Sequence, residues 1–268
     1  MAWLTGLVGA VTLSMTADTR ATTFDSIAVS WYNQTEQLPL YDPLVSNLEA
    51  GTSDLGTLGW NVRQQYWNDL GGDWSDIGTG LQMNLMNSAG AATTASVTWG
   101  GLQVSFGDWP PTTSDGIMMN GALMSDGGNF GPPTTTVNFF DLPAHYVSTG
   151  YRVVVYGEWD FTGAAQTLSL ADAGGTILQS LFMEDQQAMD PGGFIDPLHY
   201  IDATTSGVGN YVVFDVQHLS DISIIADAGP LGISYISGIQ IIAIPAPGAL
   251  ALLGVAGFLT ARRRDRRD

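Results

Sequence analysis

The sequence predicts an all-β body, a jelly-roll-like β-sandwich, followed by a single hydrophobic helix near the C-terminal end. Three observations predict it. From residue 22 to 244, short apolar or alternating runs rich in Val, Ile, Thr and aromatics are punctuated by Gly, Pro, Asn and Asp. Few stretches of that span hold a 3.6-residue apolar period for three turns. The chain then closes on an uncharged Gly, Ala and Leu run abutting a block of arginines.

Nine segments carry the strand signal: 80–86, 95–99, 102–106, 134–140, 151–159, 166–170, 210–216, 221–226 and 238–244. So many short strands suit two packed sheets. Alternation is clearest at Tyr151-Arg152-Val153-Val154-Val155-Tyr156, where both faces carry bulk, as a central strand covered on both sides requires. Thr134-Thr135-Thr136-Val137-Asn138-Phe139 is more polar and reads as a strand nearer an edge. Few helices are expected, with 44–58 the least defined candidate among them. No repeat recurs at a fixed period, so one domain at 22–244 is expected rather than a solenoid or propeller.

Charge is segregated along the chain. No Lys occurs, and before residue 262 there are 3 basic residues against 24 acidic ones; from 262 onward there are 5 against 2. A body so poor in cations cannot neutralise a phosphate backbone, which excludes nucleic acid as a partner. Acidity of this kind serves first to solvate the protein. With no cysteine, disulfides, thiolate metal sites and cysteine nucleophiles are all excluded, and stability rests on packing.

The C-terminal stretch begins Pro245-Ala246-Pro247 and continues as 14 uncharged residues, 248–261, with Leu250, Leu252, Leu253, Val255, Phe258 and Leu259 as its apolar bulk. As a helix this run covers ~21 Å of a ~30 Å hydrocarbon core. The preceding Pro-Ala-Pro and snorkelling arginines extend it to a span. Arg262, Arg263, Arg264, Arg266 and Arg267 are then retained on the cytoplasmic side, which leaves the acidic body outside. At the other end, residues 1–21 hold an apolar stretch from Trp3 to Met15 with Ala17 and Ala21 as exit candidates, and resemble a secretory leader without its basic start.

The order of Pro-Ala-Pro, apolar segment and arginine block over residues 245–268 resembles the PEP-CTERM sorting signal of exosortase-processed bacterial proteins, with Ala246 where that family usually has Glu. The resemblance implies export, tethering to the inner membrane by the C-terminal helix, and cleavage near Pro245-Ala246-Pro247 by an exosortase-like processing enzyme. It further implies a place at the cell surface or in the extracellular matrix, with extracellular polysaccharide as a partner. The strand pattern from Phe140 through Ile242 is similar to β-sandwich bodies carried by such proteins.

Chemistry-bearing constellations in the body are sparse. His145, His199 and His218 are spread out, with neither a His-Glu-x-x-His helix nor a Gly-x-Ser-x-Gly turn. Asp196 and Asp202 flank His199 in a proline-led loop, a pattern that polar turn chemistry explains. Acidic, glycine-bearing segments supply oxygen donors of the kind calcium prefers: Asp73 and Asp76, Asp126 and Asn129, Glu158 and Asp160. None fits the spaced twelve-residue calcium loop, and turn formation explains them without a metal. Trp67, Trp74, Trp109 and Trp159 are candidate glycan contacts, because an exposed indole can stack on sugar C–H surfaces beside Asp and Asn.

The sequence thus predicts an exported, non-enzymatic surface or matrix protein that needs no cofactor and for which glycan contact is the candidate molecular role. A calcium-dependent adhesive module is the alternative, and a polysaccharide-active enzyme the third reading.

Overall fold

The computed structural model of the chain describes residues 25–31, 67–70, 77–105, 119, 121–125, 134–157, 163–185, 200–229 and 231–245. In chain order these form β1 (Ser26–Ser30), β2 (Asn68–Asp69), β3 (Ile77–Gln82), β4 (Ser96–Ser105), β5 (Gly121–Ser125) and β6 (Thr134–Phe140). A short helix α1 (Ala144–Thr149) precedes β7 (Tyr151–Tyr156), β8 (Ala164–Asp172) and β9 (Ile177–Asp185). A second, α2 (Ala203–Ser206), precedes β10 (Tyr211–Val216), β11 (Ile222–Ala228), β12 (Ser234–Ile236) and β13 (Gly238–Ala243).

The strands build two sheets. The smaller has the order β10-β7-β13-β1-β2, antiparallel except for the β1–β2 pair. The larger runs β12-β5-β4-β6-β11-β8-β9, with β3 on the opposite side of β4. Because β4 is ten residues long it forks the sheet: Ser96 to Gly100 pair with β6, and Leu102 to Ser105 pair with β5. The switch falls at Gly101, where a Cβ would lie 2.7 Å from Leu123 Cγ. Two strands were expected here, broken at Gly100-Gly101; one strand passes through, and the glycines mark the change of partner.

Beyond the fork, β5 and β12 curl over the inner side of β6 and β8. Ser234 Oγ lies 2.8 Å from Ser125 Oγ and donates to Thr135 Oγ1 on β6. Gln166 on β8 is fully buried and acts as a surrogate strand for β12, its Nε2 donating to Tyr235 O and its Oε1 accepting from Tyr235 N, both at 2.8 Å. A buried amide with both ends paired to one residue's main chain satisfies groups that would otherwise lack a ladder.

The main core lies between the sheets. Val153 and Val155 of β7, Ile239 and Ile241 of β13, and Ile27 and Val29 of β1 face Val137 and Phe139 of β6, Leu168 and Leu170 of β8, and Ile222 and Ile224 of β11. Each such side chain removed from water contributes about 1.5–3 kcal/mol before the entropy cost of ordering it. The opposite face of the smaller sheet carries a second cluster of Ala28, Trp67, Met119, Val154, Tyr156, Tyr211 and Ile242. The smaller sheet is therefore covered on both faces, as the bulk on both sides of 151–156 requires.

The other strand reading is corrected. β6 is an interior strand between β4 and β11, not an edge. Its polar positions, Thr134, Thr136 and Asn138, lie half-buried on the outer side of the larger sheet, while Thr135, Val137 and Phe139 fill the core. The polar half of the pattern reports a sheet face, not an edge.

The body is thus mostly β and sandwich-like. Among the described residues no helix is long and apolar enough to cross a membrane. The expected leader (1–21), the uncertain 44–58 region and the anchor and arginine block after Pro245 lie outside the described residues.

Candidate functional site

The structure describes two of the predicted site residues. Trp67, a candidate glycan contact only if its ring is exposed, is buried at 2% exposure and presents no such ring. The cause lies in its neighbour. Asn68 donates from Nδ2 to the carbonyls of Ala28 and Met86 and accepts at Oδ1 from Met86 N, so Asn68–Asp69 is stitched into the smaller sheet as β2 rather than left as a turn. The Trp67 ring then packs edge-on against Tyr156, centroids 6.1 Å apart. Pro245, half-buried, is the other. It follows Ile244, whose N–H donates to Gly150 O, so the first proline of Pro-Ala-Pro stands two residues after the end of β13.

Trp74, Trp109 and Trp159, the calcium candidates Asp73, Asp76, Asp126, Asn129, Glu158 and Asp160, and residues 246–268 with the rest of the sorting motif, anchor and arginine block lie outside the described residues. The strand expected to reach Trp159 ends at Tyr156. Among the described residues no three His, Asp or Glu side chains are grouped to hold a metal ion.

Two of the histidines gather around α1. His145 Nε2 meets Asp25 Oδ2 at 2.6 Å, and Asn87 Nδ2 donates to the other carboxylate oxygen at 3.0 Å. His218 Nδ1 lies 3.1 Å from Val147 O. The Asp25 carboxylate thereby ties the start of β1 to α1 and to the turn at Asn87, a clasp at one end of the sandwich.

Beneath this clasp two tyrosines are held neutral. Tyr146 is pushed well above the ordinary tyrosine range, first by burial and then by the Asp25 charge. Its hydroxyl makes no hydrogen bond of good geometry among the described residues. Tyr151 is raised by burial and by the Asp221 charge, and its hydroxyl donates to Leu219 O at 2.9 Å. Such raised groups contribute stability that is complete below the unfolded value of about 10 and is lost as pH climbs beyond it. Unfolding free energy is therefore expected to fall progressively above about pH 10, with the tyrosinate absorbance of these two residues appearing only as the protein unfolds. Tyr151→Phe flattens that decline and costs about 0.5–1.5 kcal/mol at neutral pH. Ordinary titration of every tyrosine in the folded protein would contradict this.

Among the described residues, the outer face of the larger sheet carries a patch of uncharged polar groups, half-buried at Thr136, Asn138 and Ser223 and buried at Ser169. Register places Thr98, Asn138, Ser223 and Ala171 in one row across β4, β6, β11 and β8, with Thr136, Ile225, Ser169 and Ser180 in the next. The rows are cross-linked by their own side chains. Ser223 Oγ donates to Asn138 Oδ1 at 2.6 Å, Asn138 Nδ2 donates to Thr98 Oγ1 at 3.3 Å, and Ser169 and Ser180 hydroxyls meet at 2.9 Å. Two exposed rings, Phe140 and Phe182, flank this face on the same side. Hydroxyls and an amide fixed on a rigid sheet, bordered by aromatic rings, can hydrogen-bond and stack on a neutral polyol. The signal for this face was present in the alternation of Thr134, Thr136 and Asn138 with Val137 and Phe139, once the strand is placed in the sheet interior.

No protein-family model matches the chain, and no curated protein matches it. Among solved structures, Bacteroides uniformis beta-glucuronidase 2, covalently bound to cyclophellitol-6-carboxylate aziridine, is similar over 82% of this chain and 18% of its own, at 14% identity and a TM-score of 0.36. A likeness that slight carries no argument about fold or function.

Proposed function

We propose that this chain is an exported, non-enzymatic component of the bacterial cell surface or extracellular matrix, sorted by a PEP-CTERM-like signal at 245–268. The observation that carries the reading is the segregation of charge around one apolar run: an acidic body, an uncharged segment of 14 residues, then five arginines within seven positions. The start of Pro245-Ala246-Pro247 directly after the last strand supports it, since cleavage there leaves the folded body whole. In this reading the precursor is held at the inner membrane with its body outward, an exosortase-like enzyme removes the tail, and the body joins the surface or matrix as a jelly-roll-like sandwich. The outer face of the larger sheet, around Asn138, is its contact with extracellular polysaccharide.

Expression of the full chain and of a version lacking 246–268 in the native host tests sorting. The full chain is expected to give a membrane-bound precursor and a shorter surface product, whereas the truncated chain never enters the membrane fraction. Identical distributions would refute the sorting role. Asn138→Leu is expected to weaken co-sedimentation with host polysaccharide at least about tenfold while the fold is retained, because the face loses both its central donor and its central acceptor. Turnover of that polysaccharide by the purified protein would overturn the non-enzymatic part of the reading.

A further inference from the structure

We infer that the pole of the sandwich that carries α1 is a membrane-contact surface, seated on the bilayer while the C-terminal segment tethers the chain. The inference rests on the reading of 248–261 as the tether, and adds which end of the body meets the lipid. Strand register fixes the pole. β1 starts and β13 ends there, with Ala243 N–H donating to Asp25 O at 3.0 Å, so both ends of the described chain leave side by side. β6 runs into the same pole at Phe140, and α1 carries the chain across to Tyr151 of β7. Residues 217–221 make the equivalent crossing from β10 to β11.

Reach limits how far this pole can stand from the bilayer. Ile244 is held by its bond to Gly150 O, and three residues separate it from Gly248, where the uncharged run begins. Four Cα–Cα steps span at most about 14 Å, while the headgroup layer on one side of a bilayer is about 5–8 Å thick. The pole is therefore kept at the headgroups or just above them, and the tether makes even a weak contact well occupied.

The surface of the pole suits that neighbour. Among the described residues eight large apolar side chains are exposed, and five of them gather here: Leu81, Met83, Phe140, Ile177 and Leu178. They stand at the pole-side ends of β3, β6 and β9, as the pairing of Gln82 with Val97, Ser96 with Phe140 and Ala171 with Ile177 requires. Exposed apolar groups collected at one end of so acidic a body mark a contact rather than a solvated surface. Carboxylates at the pole are already engaged: Asp25 with His145 and Asn87, Asp172 with the N–H groups of Gly174 and Thr176, and Asp221 with Asp141 N–H and the Ser220 hydroxyl. No Lys occurs, and Arg152, the one Arg among the described residues, is bonded to Asp215. The contact is thus apolar rather than electrostatic, and favours zwitterionic over anionic lipid. Removal of the tail releases the pole from the lipid.

The absence of cysteine makes single labelling direct. The full chain carries either Ser148→Cys, on the exposed side of α1, or Leu231→Cys, on the turn between β11 and β12 at the opposite pole. Each variant is labelled with a fluorophore and reconstituted into phosphatidylcholine vesicles that bear a headgroup spin label. The label at position 148 is expected to be quenched at least about threefold more strongly than the label at 231, and replacing about half the lipid with phosphatidylglycerol is expected to narrow that difference. Met83→Asp combined with Ile177→Asp is expected to lower quenching at 148 at least about twofold, with flotation and the circular dichroism spectrum unchanged. In a chain that floats with the vesicles, equal quenching at the two poles, or quenching at 148 indifferent to the double substitution, would overturn the inference and leave the tether reading standing. A chain that does not float with the vesicles would overturn the tether reading, and the inference with it.

Discussion

Gln166→Leu is expected to lower the unfolding free energy by about 2–4 kcal/mol, because it strips both partners from the buried main chain of Tyr235 at once. Leucine is near glutamine in size, so the cavity left is small and the loss reports the orphaned N–H and C=O rather than missing bulk. For a body of this length that corresponds to a fall in Tm of roughly 5–15 °C. Structure should be lost first where β12 and β5 curl over the sheet, since β12 is three residues long and its one strand partner is β5. Hydrogen exchange at Tyr235 and Ile236 faster than at β7 would show this directly. Gln179→Leu on the exposed part of β9 is the matched control and is expected to change stability by no more than about 0.5 kcal/mol. Equal effects from the two substitutions would remove the surrogate-strand account of Gln166.

Gly229→Ala is expected to cost about 3 kcal/mol or more. A Cβ at this position would stand 1.9 Å from the carbonyl oxygen of Ala165 and 2.6 Å from its carbonyl carbon, and these are backbone atoms that no rotamer change can move aside. Relief requires separating the end of β11 from the start of β8, where Ala228 and Gln166 are paired. The strain therefore reaches the same seam that Gln166 holds, and the two substitutions are expected to be non-additive in a double-mutant cycle. Thermal unfolding of the four proteins measures this. Additivity within about 0.3 kcal/mol would mean that the two sites act independently.

The fold was legible where one face of a strand had to be greasy. The strands at 134–140, 151–156 and 238–243 fall inside the segments 134–140, 151–159 and 238–244 that alternation or continuous apolar bulk predicts, because both patterns follow directly from burial on one or two faces. β1, with Ser-Ile-Ala-Val-Ser, is too short to stand out, yet its five residues are all buried between β13 and β2. β9 escaped for the opposite reason: exposed at Ile177, Leu178 and Phe182, it breaks the alternation that marks a half-buried strand. β12 pairs with β5 on one side and is held on the other by Gln166, a long-range partner 69 residues away that no local pattern can reveal. The buried Trp67 and the polar outer face share a cause. In both, sequence gave the chemical character of the residue, and the sheet neighbours decided which way it faced.

On the proposed function, a carboxylate-rich sandwich is carried outside the cell by a tail that is then removed. Intact-mass analysis of the protein recovered from the envelope and the medium of its native host tests this most directly. The account predicts a mature chain ending at or beside Pro245-Ala246-Pro247, without the apolar segment and without its arginines. A mature protein still carrying Arg262 to Arg267, or one found with the cytoplasmic fraction, would contradict it.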